Sequence, residues 1–214
     1  MPDLDKALAD IGSIRQQLAA GTMFRGFGPA VIAVTGVLAL VTAVAQSIWL
    51  DDPTSQPLPF FASWLVASAA SAALIGAEMI ARTRRHHSGL ADAMILNAIE
   101  QFLPAGAVGV AIGVVLFEFA PGSLWMLPGL WQILVSLGLF AAVRSLPRAV
   151  ALAAAWYFVA GVGVLMLSSQ TQALSPWAMG IPFAVGQLLL AAILHIAFAN
   201  SEGETSLGRS DDEN

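Results

Sequence analysis

The sequence predicts an all-α fold, a polytopic transmembrane helix bundle with six spans. Three observations support this fold class: 57% of the 214 residues are hydrophobic, only 11% are charged, and the apolar residues form long blocks. A soluble domain averages about 25% charged residues, so this chain has too few charges to cover a water-facing surface. A helix needs about 20 apolar residues to cross a lipid bilayer, and continuous blocks differ from the alternating pattern of barrel strands.

Six apolar blocks define the domain organisation. A six-span transmembrane domain is predicted at 29–199, after an amphipathic helix and elbow at 1–28 and before an acidic tail at 200–214. The tail is poor in hydrophobic residues, so we expect it to be disordered. The spans are predicted at about 30–50, 60–81, 103–120, 123–143, 149–168 and 176–198.

The distribution of basic residues predicts the orientation. With six spans, all nine lysines and arginines fall on the side of the N-terminus, whereas the opposite loops contain Asp51 and Asp52 and no basic residue. Positively charged loops stay in the cytoplasm. We therefore expect both termini to be cytoplasmic.

Two amphipathic segments lie on that predicted cytoplasmic side. Leu4, Leu8 and Ile11 recur at helical spacing in the acidic segment 2–20. This helix either docks a protein partner, since anionic lipid prefers basic helices, or covers the end of the bundle. Residues 88–104 predict a second, interfacial helix, after which a proline turns the chain into span three.

Small residues predict close packing of span two. Ala69, Ala73 and Ala77 form one stripe along it, and Gly109 and Gly113 form a similar pair in span three. Such stripes let helix backbones approach closely in lipid. We expect span two to lie centrally, against a helix of this chain or of a second copy in a homo-oligomer.

A polar cluster is predicted near the cytoplasmic ends of spans two and six. It consists of Glu78, Arg82, His86, His87 and His195. Glu78 and Arg82 are spaced to form an interfacial ion pair, and adjacent histidines rarely bind one ion together. The alternative is an intramembrane enzyme site in which Glu78 and His195 converge. The absence of cysteine excludes thiolate chemistry, and we predict no metal and no cofactor.

A second candidate site lies in the other half of the membrane. Spans four and six each begin with a tryptophan, continue through a proline and glycine break, and reach Gln132 or Gln187. A proline frees the carbonyl four residues before it, and paired interrupted helices can mark a substrate site. These glutamines either line a ligand cavity between spans four, five and six, with Trp156 and Tyr157, or bond to neighbouring helices.

Three segments carry a family resemblance. EMIARTRRHHSGLADAMI, WMLPGLWQILVSLG and SPWAMGIPFAVGQLLLAA resemble segments of uncharacterised proteobacterial multi-pass membrane proteins. The resemblance implies a bacterial inner membrane and transfers no activity and no catalytic residue.

Function is less determined than topology. The leading hypothesis is a docking, sensory or regulatory membrane subunit with a protein partner on its cytoplasmic face. The alternatives are a small-solute transporter or channel that uses the Gln132 and Gln187 cavity, and the intramembrane enzyme. The sequence has no basic patch with interleaved aromatic residues, so we expect no nucleic acid partner. The six apolar spans predict that the lipid bilayer surrounds the protein.

Overall fold

A computed structural model describes residues 28–85, 91–143 and 146–211, with side chains at 28–81, 102–143 and 146–199. This part of the chain forms six long α-helices and no strand. Five of these helices, and the fourth together with the short 3-10 turn before it, contain a segment long and apolar enough to cross a membrane, which confirms the six-span bundle. The helices are α1 (Pro29–Trp49), α2 (Pro57–Arg85), α3 (Ala91–Phe119), α4 (Leu127–Ala142), α5 (Val150–Thr171) and α6 (Pro176–Asp211), and the 3-10 turn Pro121–Met126 leads into α4.

Local sequence explains where several helices begin and end. Pro29, Pro57 and Pro176 occupy the first position of α1, α2 and α6. Proline suits this position because the first N–H groups of a helix have no partner within it. Helix α5 is capped by the next residue, Gln172, which has a left-handed φ of 52° and donates its N–H to the carbonyl of Ser168 at 2.7 Å.

Two helices extend further than the sequence indicated. The interfacial segment 88–104 is not a separate element where it is described, because α3 runs without a break from Ala91 to Phe119 with Pro104 inside it. Membrane helices tolerate proline when other groups satisfy the freed backbone. The tail at 200–214 was expected to be disordered, but α6 continues to Asp211. Extending an existing helix avoids the costly nucleation step, and no proline follows Pro182.

The two ends of the bundle are distinguished by their contacts. At the arginine-rich end, Gly28 before α1 contacts Glu78 near the end of α2, and exposed Arg148 precedes α5. At the opposite end, the loops after α1 and α5 meet, since the Leu174 N–H bonds to Thr54 Oγ1 at 3.0 Å.

Two helix pairs form the densely packed part of the bundle, α1 with α6 and α4 with α5. A Cβ placed on Gly129 of α4 would lie 2.7 Å from the carbonyl oxygen of Gly161 in α5, and a Cβ on Gly161 would lie 2.8 Å from the Gly129 oxygen. On the other pair, a Cβ on Gly180 of α6 would overlap the Cβ of Ala43 in α1. Each pair therefore packs backbone against backbone, as small residues allow.

Helices α2 and α3 are packed more loosely, so the expectation of a central span two is wrong. Only 22% of the apolar segment of α2 and 6% of that of α3 are buried, against 44% for Pro121–Ala142. Ala69, Ala73 and Ala77 are exposed. Small residues permit close approach but do not cause it, and no small-residue face of the described helices lies opposite this stripe.

Candidate functional site

Two side chains from neighbouring helices bond to the α6 backbone around its internal proline. Pro182 has no N–H, so the carbonyl of Ala178, four residues earlier, lacks its helical donor. Gln132 Nε2 of α4 donates to this carbonyl at 2.8 Å, and Trp156 Nε1 of α5 donates to the Pro182 carbonyl at 3.0 Å. The Gln132 side chain is fully buried. The break in α6 is thus satisfied by protein groups, as a lipid environment requires.

The next residue of α5, Tyr157, makes a similar contact with the next residue of α6. Tyr157 is fully buried, and its hydroxyl donates to the carbonyl of Phe183 at 3.3 Å. The two rings pack edge to face with centroids 5.5 Å apart. The Gln187 side chain lies near the Tyr157 hydroxyl. These contacts attach α5 to α6.

The cavity expected between spans four, five and six is therefore filled by protein. The Gly129–Gly161 contact closes α4 onto α5, and Gln132 and Tyr157 are both buried in bonds to α6. Of the four residues predicted to line that cavity, Gln132, Trp156 and Tyr157 hold helices together. Gln187 lines a cavity in another place.

That cavity has a volume of about 420 Å³ and lies between α1, α2, α3, α4 and α6. Its volume is in the range of pockets that hold small molecules. Helix α5 contributes no residue to its wall. The wall consists of Thr35, Ala39, Trp64, Leu65, Ala67, Ser68, Ser71, Phe102, Ala105, Gly106, Gly109, Val110, Trp131, Leu134, Val135, Met179, Phe183 and Gln187.

The cavity opens sideways, between α2 and α3. Its wall residues on these two helices include Leu65, which is 50% exposed, and Val110, which is 56% exposed, whereas those on α1 and α6 are mostly buried. Leu65 lies within the span Pro57–Ala81 and Val110 within Phe102–Phe119. The opening is therefore at membrane depth, where the surrounding solvent is lipid.

The polar groups of the wall are few and uncharged. No wall residue among those described is ionisable at neutral pH. Thr35 Oγ1, Ser71 Oγ and Trp131 Nε1 donate to the carbonyls of Ile32, Ala67 and Gly109 at 2.7, 2.8 and 3.1 Å. These donors are satisfied within the protein, so they do not attract water into the cavity.

Trp64 differs from these residues. Its side chain forms part of the cavity wall and is 3% exposed, and its indole N–H has no acceptor among the described residues. A buried donor without a partner is unusual in a folded protein. The Trp64 Nε1 atom is itself buried within the protein and is not accessible from the cavity. The wall also contains the polar side chains of Ser68 and Gln187.

The two members of the predicted polar cluster whose side chains are described, Glu78 and His195, lie in different surroundings. The Glu78 carboxylate lies directly on Gly28, so that a Cβ on Gly28 would overlap it. Gly28 precedes the first turn of α1, and a carboxylate there interacts favourably with the positive end of the helix dipole. His195 is exposed on α6, and neither residue lines the cavity.

The other members of this cluster lie partly outside the described residues. His86 and His87 fall in the gap between α2 and α3, and Arg82 is described only by its backbone. The described residues contain no group of three or more metal-binding side chains.

Sequence reasoning missed Trp64 and the glycines of α3 as parts of a site. The available signal was that glycines of α3 lie on the same wall as large tryptophan side chains of α2 and α4. Gly106 and Gly109, without side chains, lie on the same wall as the tryptophans Trp64 and Trp131. We interpreted Gly109 and Gly113 as a helix contact, and both face α4: a Cβ on Gly109 would lie 3.4 Å from Leu134, and one on Gly113 would lie 3.7 Å from Leu127. Gly106 was not singled out, and a Cβ there would meet nothing within 4 Å.

Fold and site together define a class, a six-span helical membrane protein with an uncharged cavity open towards the lipid. No family model, curated protein or solved structure matches the chain. Function is therefore argued from the geometry of the cavity.

Proposed function

We propose that this membrane protein binds an uncharged, apolar small molecule that enters from the bilayer between α2 and α3. The observation that carries the proposal is the cavity of about 420 Å³ with its opening at membrane depth. Lipid chains surround that opening, and an apolar solute concentrates there. The uncharged wall excludes ions, because burying an unpaired charge in such a place is very unfavourable.

The loose packing of α2 and α3 supports this function. A ligand entering sideways must pass between two helices, and these two share few contacts. The dense pairs on the other side, α1 with α6 and α4 with α5, supply a rigid back wall. Binding sites need such a rigid frame to hold the ligand in one position.

Photolabelling tests the proposal. The purified protein in lipid nanodiscs is irradiated with a diazirine-bearing dodecane, and labelled peptides are mapped by mass spectrometry. We expect labelling of the α2 and α3 wall segments that an excess of unlabelled dodecane removes. Labelling that no competitor reduces, or that is uniform over all lipid-facing helices, would contradict a specific site.

A pair of glycine variants supplies the matched control. Gly106→Leu places a side chain in the cavity, and Gly163→Leu places the same side chain on α5, away from it; a Cβ meets nothing within 4 Å at either position. Competable labelling should disappear in Gly106→Leu and persist in Gly163→Leu. Equal labelling of both variants would show that the probe binds elsewhere.

Orientation and location are a further part of the proposal. We infer that both termini lie in the cytoplasm, supported by the arginines at one end of the bundle and Asp51 and Asp52 at the other. The proposal of a bacterial inner membrane is supported by the resemblance of the three sequence segments. The docking role of the N-terminal helix remains a prediction, because residues 1–27 lie outside the described part of the chain. Deleting residues 2–20 tests it, by loss of a protein partner from crosslinking pull-downs.

A further inference from the structure

Resting on the proposed function, we propose that the ligand is a membrane alcohol, an apolar body with a hydroxyl group that binds at the end of the cavity nearer the arginine-rich end of the bundle. The proposal deepens the binding function by naming the chemical class of the ligand and its orientation. A long-chain alcohol and a diacylglycerol both belong to this class.

The first step is where the polar groups of the wall lie along the bundle. Gly28 and Glu78 are in contact at the arginine-rich end. Thr35 follows Gly28 by seven residues in α1, and Ser71 precedes Glu78 by seven residues in α2. Both hydroxyls therefore lie about 10 Å from that contact, at 1.5 Å per residue, and both line the cavity.

Two further polar side chains of the wall lie close to this level. A Cβ on Gly36, the neighbour of Thr35, would lie 3.1 Å from the Cβ of Gln187. Ser68 precedes Ser71 by three residues on α2, so it lies on the same face of the helix, one turn further along. Thr35, Ser68, Ser71 and Gln187 together form the polar end of the cavity.

The opposite end of the cavity is apolar. Trp64 lies another seven residues before Ser71, and Met179 is close to the start of α6 at the opposite end of the bundle. The N–H of Trp131 is bonded to the Gly109 carbonyl at 3.1 Å, and Trp64 Nε1 is buried within the protein. Neither tryptophan offers a ligand a polar group, so the cavity suits a molecule with one polar and one apolar end.

The second step is the hydrogen-bonding capacity left on Thr35 and Ser71. Their hydroxyls donate to the carbonyls of Ile32 and Ala67 at 2.7 and 2.8 Å. Each hydroxyl has one proton, so only acceptor lone pairs remain for a ligand. A ligand that bonds to Thr35 or Ser71 must therefore bring a donor, which an ester, a ketone or an ether lacks.

The other two residues of the polar end supply donors. The Ser68 side chain is exposed, and its hydroxyl has no hydrogen bond within the described part of the chain. The Gln187 amide has two N–H groups and an acceptor oxygen, of which the Tyr157 hydroxyl beside it can take up only a part. The polar end therefore suits a group that both donates and accepts.

The third step is the charge of that group. The described wall has no lysine, arginine or histidine that could balance a carboxylate or phosphate, and burying an unpaired charge there is very unfavourable. The hydroxyl is the smallest neutral group that both donates and accepts a hydrogen bond. The ligand is therefore an alcohol.

The experiment uses matched competitors in the photolabelling assay, with amounts expressed as mole fraction in the nanodisc lipid. Dodecanol is compared with tridecane, which has a methyl group in place of the hydroxyl, and with methyl undecyl ether, whose oxygen only accepts. The measured quantity is the potency of dodecanol relative to each of these two compounds.

Two double variants locate the effect of the hydroxyl. Thr35→Val with Ser71→Ala, the hydroxyl variant, removes both acceptors of the polar end. The control variant, Thr42→Val with Ser169→Ala, removes two hydroxyls that bond to their own helices in the same way, at 2.8 and 2.7 Å, but do not line the cavity.

Relative to tridecane and to the ether, dodecanol should lose about fivefold in potency in the hydroxyl variant, which corresponds to one net hydrogen bond. The control variant should keep the wild-type ratios. Partitioning of each competitor into the lipid is the same for all three proteins, so the change in ratio reports the cavity. Unchanged ratios in the hydroxyl variant, with competition by tridecane intact, overturn the proposal.

The orientation is tested in the wild-type protein, so it does not depend on the folding of a variant. One dodecanol carries the diazirine beside the hydroxyl, and a second carries it at the far end of the chain. The first should label the α2 segment around Ser68 and Ser71, and the second the segments that contain Trp131 and Met179. A reversed pattern, or the same pattern for both, overturns the proposal.

The outcomes separate this proposal from the function on which it rests. Competition by tridecane without any effect of the hydroxyl would leave the lipid-side cavity in place and reject the alcohol. Absence of any competable labelling would reject the cavity as a binding site.

A second pair of competitors, dioctanoylglycerol and propanediol dioctanoate, which lacks the hydroxyl, distinguishes the sources. A variant-dependent preference for dodecanol alone would identify a long-chain alcohol, and one for dioctanoylglycerol alone would identify a diacylglycerol.

Discussion

The dense helix pairs and the loose wall formed by α2 and α3 are built from similar residues but pack differently. Helix α2 is richer in alanine than α1, yet a smaller share of its apolar segment is buried. In α1, Ala39 and Ala43 lie opposite Gly180 of α6, so both faces are small. The comparison of α1 with α2 indicates that close packing in lipid requires small residues on both helices, together with hydrogen bonds that fix their register.

The dense side should respond most strongly to an added methyl group. We expect Gly161→Ala to lower the free energy of unfolding by about 1–3 kcal/mol, because the new Cβ overlaps the Gly129 carbonyl and forces the backbones apart. Gly163→Ala on the same helix meets open space and should cause no loss, since alanine is a better helix former.

Unfolding of both variants in mixed micelles, followed by circular dichroism as the fraction of dodecyl sulfate rises, measures this contrast. A loss in Gly163→Ala as large as that in Gly161→Ala would show that the α4–α5 contact does not depend on the glycine pair.

Loss of the hydrogen bond from Gln132 of α4 to Ala178 of α6 should have the second-largest effect on the free energy of unfolding. Gln132→Leu leaves the Ala178 carbonyl without a donor in an apolar interior, and we expect a loss of about 1–3 kcal/mol of unfolding free energy. The same micelle titration measures it. The matched variant Gln132→Leu with Pro182→Ala restores a helical donor to that carbonyl, and it should recover part of the loss. No recovery would mean that Gln132 stabilises the fold in some other way.

The hydrogen bond between Trp131 of α4 and Gly109 of α3, the tether of the loose wall, should contribute less to the free energy of unfolding. Trp131→Phe removes the hydrogen bond to the Gly109 carbonyl, and we expect the free energy of unfolding to fall by about 0.5–1.5 kcal/mol. Helix α3 should become more mobile. Because the chain has no cysteine, a single Val114→Cys on exposed α3 reports this mobility by its rate of alkylation with a membrane-permeant maleimide. An unchanged rate would contradict the assignment of Trp131 as the tether.

A larger side chain in the cavity should leave the stability of the protein almost unchanged, in contrast to an added methyl group on the dense side. Gly106→Leu adds a large side chain on the loose wall, where a Cβ meets nothing within 4 Å. We expect its unfolding free energy to stay within about 0.5 kcal/mol of the wild type or to rise, since glycine is a poor helix former. A loss like that of Gly161→Ala would show that no cavity exists in the folded protein.

The sequence predicted the spans well and the site poorly, for physical reasons. Burial in lipid selects long apolar blocks, and these are visible without knowing which helices touch. Gln132 was correctly singled out, and a bond to a neighbouring helix was one of its two interpretations. The partner carbonyl at Ala178 could be anticipated from Pro182, but the choice of helix could not. Trp64 carries no local signal, because an unsatisfied N–H depends on what surrounds it in three dimensions.

The smallest effect is expected on the small-residue stripe of α2, and it decides how that stripe is used. Ala73 is exposed, so Ala73→Leu should change the free energy of unfolding by less than about 0.5 kcal/mol. Its mass in detergent, measured by light scattering, should equal that of the wild type. The sequence alone left a contact with a second copy open, and such a contact would respond differently. There the leucine would separate two closely apposed backbones, so the wild type would have the mass of a dimer and the variant would not. An unchanged mass would leave lipid as the neighbour of the stripe, and the alanines of α2 would then keep the wall next to the cavity thin.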